Sequence, residues 1–147
     1  MVDLRAVELA VVNVLATAQG CDAVAPVGGF ACRVAPDELL LFGGDTLAAA
    51  TTAATEADPD ALVMDVTDGW AAWRLEGAEA RAAFSRLSEL HLPDEGFVQG
   101  EVTRLPVKVL VDATGITLLV PAMWGSYLRE RVLADCASLG VTEAAAS

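Results

Sequence analysis

The side chains that could do chemistry in this chain are few and scattered. General acid–base work needs a carboxylate pair or a histidine in a shielded pocket, and His91 is the single histidine. It has no cysteine or second histidine near it in sequence, so neither metal ligation nor a nucleophilic triad has members. After a helix, it reads as a partly exposed side chain favoured by the helix dipole. Asp65 and Asp68 straddle one turn and Asp37-Glu38 sit on another, where acids are turn formers and solvated charges. Cys21, Cys32 and Cys136 are odd in number and lack Cys-x-x-Cys spacing. They read as buried apolar residues of a reduced protein, not as a disulfide or zinc site. Gly28-Gly29 and Gly43-Gly44 lack the context of a phosphate loop and are turn residues. No catalytic residue and no metal site is assigned.

The aromatic residues carry a different kind of chemistry. Trp70 and Trp73 fall on opposite faces of one strand, because strand side chains alternate. Trp124 and Tyr127 are three residues apart on a helix. All four are either core packing or interface anchors, since aromatics at edges and helix ends serve as both.

The elements that must position these residues follow from periodicity and breakers. Leu4, Val7, Val11, Val14, Leu15 and Ala18 lie at helical spacing and predict a helix over 4–19 with Asp3 as N-cap and Gly20 as stop. Short strands are expected over 24–27, 30–34 and 39–42. Asp45 can cap an alanine-rich helix over 46–57. A strand pair over 62–67 and 70–76 follows around Thr67-Asp68-Gly69, then a helix over 78–90 with Ala80, Ala83, Phe84, Leu87 and Leu90 on one face. Residues 92–100 read as a loop, 101–105 as a strand, and 107–111 with 116–120 as a buried hairpin around Asp112-Ala-Thr-Gly115. Pro121 starts a final helix that ends before Gly140, and residues 141–147 read as a disordered tail. Helices that separate antiparallel hairpins predict an α+β fold, an antiparallel sheet with helices, in a single domain over 1–140.

Composition narrows the partners. With 147 residues the chain is long enough for a core without staples. Its formal net charge of −12, with Lys108 as the one lysine, opposes nucleic-acid binding and anionic membrane surfaces. Asp3, Arg5 and Glu8 interrupt the N-terminal apolar stretch, so it reads as neither a signal peptide nor a span, and a cytoplasmic protein is expected. A mean hydropathy of +0.48 is high for so acidic a chain. The surplus is most easily placed at a subunit interface, against a different partner or a second copy in a homodimer.

Four blocks carry a resemblance. Asp65 to Phe84 has a strand, turn, strand and "Gly-x-x-Ala" helix start. Phe30-Ala-Cys-Arg-Val-Ala-Pro-Asp-Glu-Leu-Leu-Leu-Phe-Gly-Gly44 has strand, Pro-Asp-Glu, strand and Gly. Glu89-Leu-His-Leu-Pro93 precedes Phe97, and Leu118-Leu-Val-Pro-Ala-Met-Trp-Gly-Ser-Tyr-Leu128 has a strand, "Val-Pro" and a helix. Along the chain these blocks follow the family's order over about residues 30–139, and the chain resembles the gamma subunit of heterotetrameric sarcosine oxidase, with the folate-binding fold of the glycine-cleavage T protein.

The resemblance implies ferredoxin-like halves and a non-catalytic scaffold and interface role in an oxidoreductase complex of one-carbon metabolism. The substrate would be sarcosine or another N-methyl amine, and the partners larger flavoprotein oxidase subunits. FAD, FMN, NAD and tetrahydrofolate are implied on those partners and none on this chain. It also implies an additional strand before the first helix, whereas a helix read from residue 4 leaves little room for one. The alternative is a stand-alone folate-binding protein or enzyme of one-carbon or specialised metabolism. In folate-binding relatives an acid beside a Gly-rich hairpin takes part in folate recognition. The comparable Lys108-Val-Leu-Val-Asp-Ala-Thr-Gly115 has one aspartate and no paired acids, leaving Asp65, Trp70, Trp73 and Asp112 as the candidate cofactor-binding residues.

Overall fold

Residues Val2–Val7 (β1) and Val11–Leu15 (β2) form strands, and the first helix, α1, covers Ala18–Val24. The helix expected over 4–19 is therefore absent. The same apolar residues fit a pleated surface as well as a helical face, and β-branched valine prefers the former. The partners that decide lie far along the chain: Leu4 pairs with Leu75, and Val14 with Leu39 and Val63. These strands also supply the lead-in that a helix from residue 4 would have excluded. Thr17 caps α1, its hydroxyl accepting from the Gly20 amide at 3.1 Å. The strand expected over 24–27 is instead the end of α1 and a 3-10 turn at Ala25–Val27 that holds Pro26 in its first positions. Proline favours such a start because its missing N–H has no partner to lose there.

The computed structural model describes residues 1–43 and 47–146. They fall into two compact units, Leu9–Thr67 and Met1–Glu8 with the chain from Asp68 onward. The Leu9–Thr67 unit runs β2, α1, β3 (Phe30–Ala35), β4 (Glu38–Phe42), α2 (Leu47–Ala57) and β5 (Leu62–Asp65). Its strands are antiparallel in the order β3-β4-β2-β5, the βαββαβ arrangement of a ferredoxin-like half. Val12, Val14, Leu39 and Leu41 pack with Cys21, Val24, Ala50 and Ala54 of the helices. The threonines of α2 stay helical by turning their hydroxyls to the backbone, Thr51 to the Leu47 carbonyl and Thr55 to that of Thr51, both at 2.8 Å. The proposed cap at Asp45 lies outside the described residues.

The second unit contains β1, β6 (Trp70–Glu76), α3 (Ala80–Leu87), β7 (Gly96–Val102), β8 (Leu105–Asp112), β9 (Gly115–Pro121), α4 (Gly125–Asp135) and β10 (Val141–Glu143). Its sheet order is β10-β1-β6-β9-β8-β7. Without β1 and β7 the order β10-β6-β9-β8 is again ferredoxin-like, with one strand inserted and one added at the edge. Leu75, Ile116, Leu118, Val109 and Val111 meet Phe84 and Leu87 of α3 and Leu128 and Val132 of α4. The hairpin expected over 107–120 is present as β8 and β9.

Other expectations are corrected here. The strands over 62–67 and 70–76 are not a pair: β5 joins β2, whereas β6 lies between β1 and β9 in the other sheet. Thr67-Asp68-Gly69 is a 3-10 turn that passes the chain from one sheet to the other. The loop expected over 92–100 contains the start of β7, and the strand read as 101–105 is its end, a two-residue turn and the first residue of β8. The tail expected over 141–147 begins instead as a strand, β10. Val141 is buried, β10 pairs in parallel with β1, and the Ala144 amide reaches the Leu4 carbonyl at 2.8 Å.

Candidate functional site

The charged cluster of the second unit grows from strand alternation. Arg5 on β1 and Arg74 on β6 are direct cross-strand partners, and Glu76 lies two residues beyond Arg74 on the same face. Glu76 receives Arg5 Nε at 2.9 Å and Arg74 Nε at 3.4 Å. Arg74 makes a two-pronged contact with Asp112, Nη2 to Oδ1 at 2.7 Å and Nη1 to Oδ2 at 2.8 Å. The same guanidinium donates to Thr117 Oγ1 at 2.9 Å and Thr114 Oγ1 at 2.6 Å. Asp112 Oδ1 also accepts from the Thr114 and Gly115 amides at 2.9 and 3.1 Å, closing the β8–β9 turn.

The Arg74 guanidinium above all, then the turn donors around Thr114, hold the Asp112 carboxyl far below the usual carboxylate range. Arg5 and then Arg74 lower Glu76 in the same way. Gly115 is required at this turn because a Cβ there would sit 2.5 Å from the Leu75 carbonyl oxygen. The sequence alone pointed to Asp112 but not to Arg74. Its signal is one cation after four apolar residues of β6, two positions before Glu76.

The candidate cofactor residues divide between the two units, Asp65 in one and Trp70, Trp73 and Asp112 in the other. Asp65 is exposed and belongs to the Leu9–Thr67 unit, where its Oδ1 accepts the Thr67 amide at 3.0 Å. That turn, led by its bonds from Thr67, lowers the Asp65 carboxyl. Trp73 lies on the helix-facing side of β6 and donates from Nε1 to the Gly125 carbonyl at 3.0 Å. Trp70 and the Arg74–Asp112 pair are on the opposite face by alternation. Both Asp112 oxygens are committed to Arg74 and its turn.

His91 is exposed between α3 and β7, as are Asp37 and Asp68 at their turns. Glu38 accepts from Asn13 Nδ2 at 2.8 Å. Cys21, Cys32 and Cys136 are buried thiols. Burial raises the thiol pKa of Cys21 and Cys136. Among the described residues no group of three or more His, Cys, Asp and Glu side chains could hold a metal ion.

The remaining candidate is a surface. Met123, Trp124 and Tyr127 are 79%, 40% and 41% exposed at the start of α4. Trp124 and Tyr127 meet edge to face, with ring centroids 6.2 Å apart. Gly125 lets the helix approach β6, since a Cβ there would lie 2.8 Å from Ala71 Cβ. Together with the Trp73 bond this seats the helix start and leaves three large apolar side chains outward. Tryptophan and tyrosine in such positions are the residue types of interface anchors. Spacing identified Trp124 and Tyr127; Met123 was missed because a lone methionine has no distinguishing pattern.

No protein-family model matches the chain, and no curated protein matches it. Solved structures do. Over 97% of this chain and 87% of that one, the fold is similar to a chain of heterotetrameric sarcosine oxidase from Corynebacterium sp. U-96, with a TM-score of 0.79 and 16% identity. It is also similar to the glycine cleavage system aminomethyltransferase T from Bartonella henselae, with a TM-score of 0.63 and 15% identity over 97% of this chain. The chain spans about half of that protein, 47% of its length. The fold is thus the α+β fold of these two proteins. No helix among the described residues is long and apolar enough to cross a membrane.

Proposed function

We propose that the chain is the small, non-catalytic gamma-type subunit of a heteromeric, flavin-dependent oxidase acting on sarcosine or another N-methyl amine. The observation that carries this reading is agreement with a chain of a heterotetrameric oxidase over nearly the whole of both chains. Agreement of that extent supports reading the chain as a subunit rather than as the bearer of a shared motif. The exposed Met123, Trp124 and Tyr127 supply an apolar anchor of the kind a permanent interface uses. Larger subunits would hold FAD, FMN, NAD and tetrahydrofolate, and this chain would act as scaffold.

Native co-purification of the tagged chain from its own cells, with mass spectrometry and an absorbance scan, tests the reading. The expected result is a yellow complex with larger oxidase-like subunits. A colourless chain that purifies alone would overturn it, and equilibrium sedimentation would then separate monomer from homodimer. Within a complex, Trp124→Ala and Tyr127→Ala each weaken retention of the chain.

A further inference from the structure

A cleft of about 900 Å³ opens between the end of α3, the β7–β8 turn and α4. Its walls include Arg86, Ser88, Thr103, Arg104, Tyr127 and Arg131. The volume suits an organic ligand, whose sites run to roughly 300–1,000 Å³. The chain has 9 Lys and Arg residues against 21 acids, and three arginines meet here. Arg131 is held by Asp135 at 2.5 Å, and Arg86 reaches Ser138 Oγ at 3.2 Å. Arg104 is exposed and has no hydrogen-bond or ion-pair partner among the described residues. Beside it, Thr103 Oγ1 is buried with no hydrogen-bond partner.

The backbone marks the same two residues. Thr103 and Arg104 form the two-residue β7–β8 turn with φ of 50° and 68°. A hairpin turn with both central residues at positive φ favours Asn-Gly or Asp-Gly, and a β-branched residue is a genuine outlier there. Turn stability alone would not select Thr-Arg. The turn is nevertheless fixed, the Thr103 amide donating to the Leu87 carbonyl at 2.8 Å and Ser88 Oγ to that of Glu101 at 2.7 Å. A strained, pinned turn therefore sets a cation at an open cleft, and backbone strain of this kind clusters at ligand clamps and active sites.

We propose that this cleft binds an organic monocarboxylate, its oxygens meeting the Arg104 guanidinium and its apolar remainder lying toward Tyr127. Glu89 and Glu101 also line the walls, so a dianion meets like charge, while a neutral isostere leaves Arg104 without a counter-charge. The cleft shares Tyr127 with the proposed interface, so its test is read on the chain by itself, whether or not larger subunits co-purify.

The test is titration of the full-length chain with benzoate, benzamide and inorganic phosphate, followed by calorimetry and amide NMR shifts. Benzoate is expected to saturate, with shifts centred on residues 86–90 and 101–105, and benzamide and phosphate to bind about tenfold more weakly. Arg104→Gly relieves the positive φ, so it is expected to raise the melting temperature while weakening benzoate about tenfold. Arg81→Ala, outside the cleft, leaves benzoate binding unchanged. No saturation by benzoate, equal binding of benzamide or phosphate, or undiminished binding by a folded Arg104→Gly would each overturn the proposal.

Discussion

The two units share a ferredoxin-like ground plan and fill it with different materials. In Leu9–Thr67 the helices meet the sheet through alanine, cysteine and valine, with Ala50, Ala54 and Cys21 fully buried. A Cβ at Gly20 would come within 2.8 Å of Ala16 Cβ. In the second unit Phe84, Leu75, Leu118, Ile116 and Leu128 fill the interior, and an ionic cluster from Arg5 to Asp112 ties strands together on the other face. Small side chains bring backbones close and leave no room for additions. Large ones leave the unit dependent on each side chain it contains. The first core should thus be sensitive to enlargement and the second to truncation.

Truncation should give the largest effect. Phe84 is 1% exposed at the centre of the second core, and Phe84→Ala is expected to cost about 3–5 kcal/mol. Urea unfolding measures the loss, and native-state hydrogen exchange should locate it in β6, β8 and β9. A cost below about 1 kcal/mol would break the comparison, because such a core would collapse onto the gap.

Enlargement comes next. Ala54→Leu, at a position with no exposed surface, should destabilise the Leu9–Thr67 unit by about 1–3 kcal/mol through overpacking. If it instead stabilised the protein, that core would contain unfilled space and the contrast would fail.

The ionic cluster gives a smaller effect with its own pH signature. Arg74 and then the turn donors depress the folded pKa of Asp112, so the unfolded state binds the proton more readily. The stabilisation is fully present above the ordinary aspartate value of about 3.9 and is lost as pH falls through that value toward the depressed one. Arg74→Met is expected to cost about 1–2 kcal/mol at pH 7, and less at pH 3. Parallel stability curves for wild type and variant from pH 7 to pH 3 would show that the cluster does not contribute in this way.

The smallest effect is kinetic. The buried thiols of Cys21 and Cys136, raised by desolvation, should react with a thiol reagent only as fast as the protein opens. Rapid labelling of either in native buffer would reveal local opening of its unit.

Much of this was readable from local pattern, and the exceptions share a cause. β3 and β4, α2, and the β8–β9 hairpin with Asp112 at its turn are bounded by nearby Gly, Pro and Asp signals, and their partners are close in sequence. The α+β class follows from the order of such elements, and the buried state of the three cysteines from their spacing. Trp124 and Tyr127 could be named, but whether they faced inward or outward could not, because a helix face is assigned only by what packs on its other side.

What the tertiary structure decided were the elements whose partners are distant. The apolar residues from Leu4 to Leu15 satisfy helical and strand templates alike, and pairing with residues 38–42, 62–65 and 72–76 settles the choice. Thr67-Asp68-Gly69 has the chemistry of a hairpin turn, yet β5 and β6 belong to different sheets. The terminus became a strand because β1 offered Val141 an unpaired edge and a place in the core. Sequence by itself determined the class of fold, the acidic charge and the identity of the reactive groups. Only the structure committed Asp112 to Arg74 and set Arg104 beside an open cleft, because pair geometry depends on strand register, and register is set by burial summed over a whole sheet.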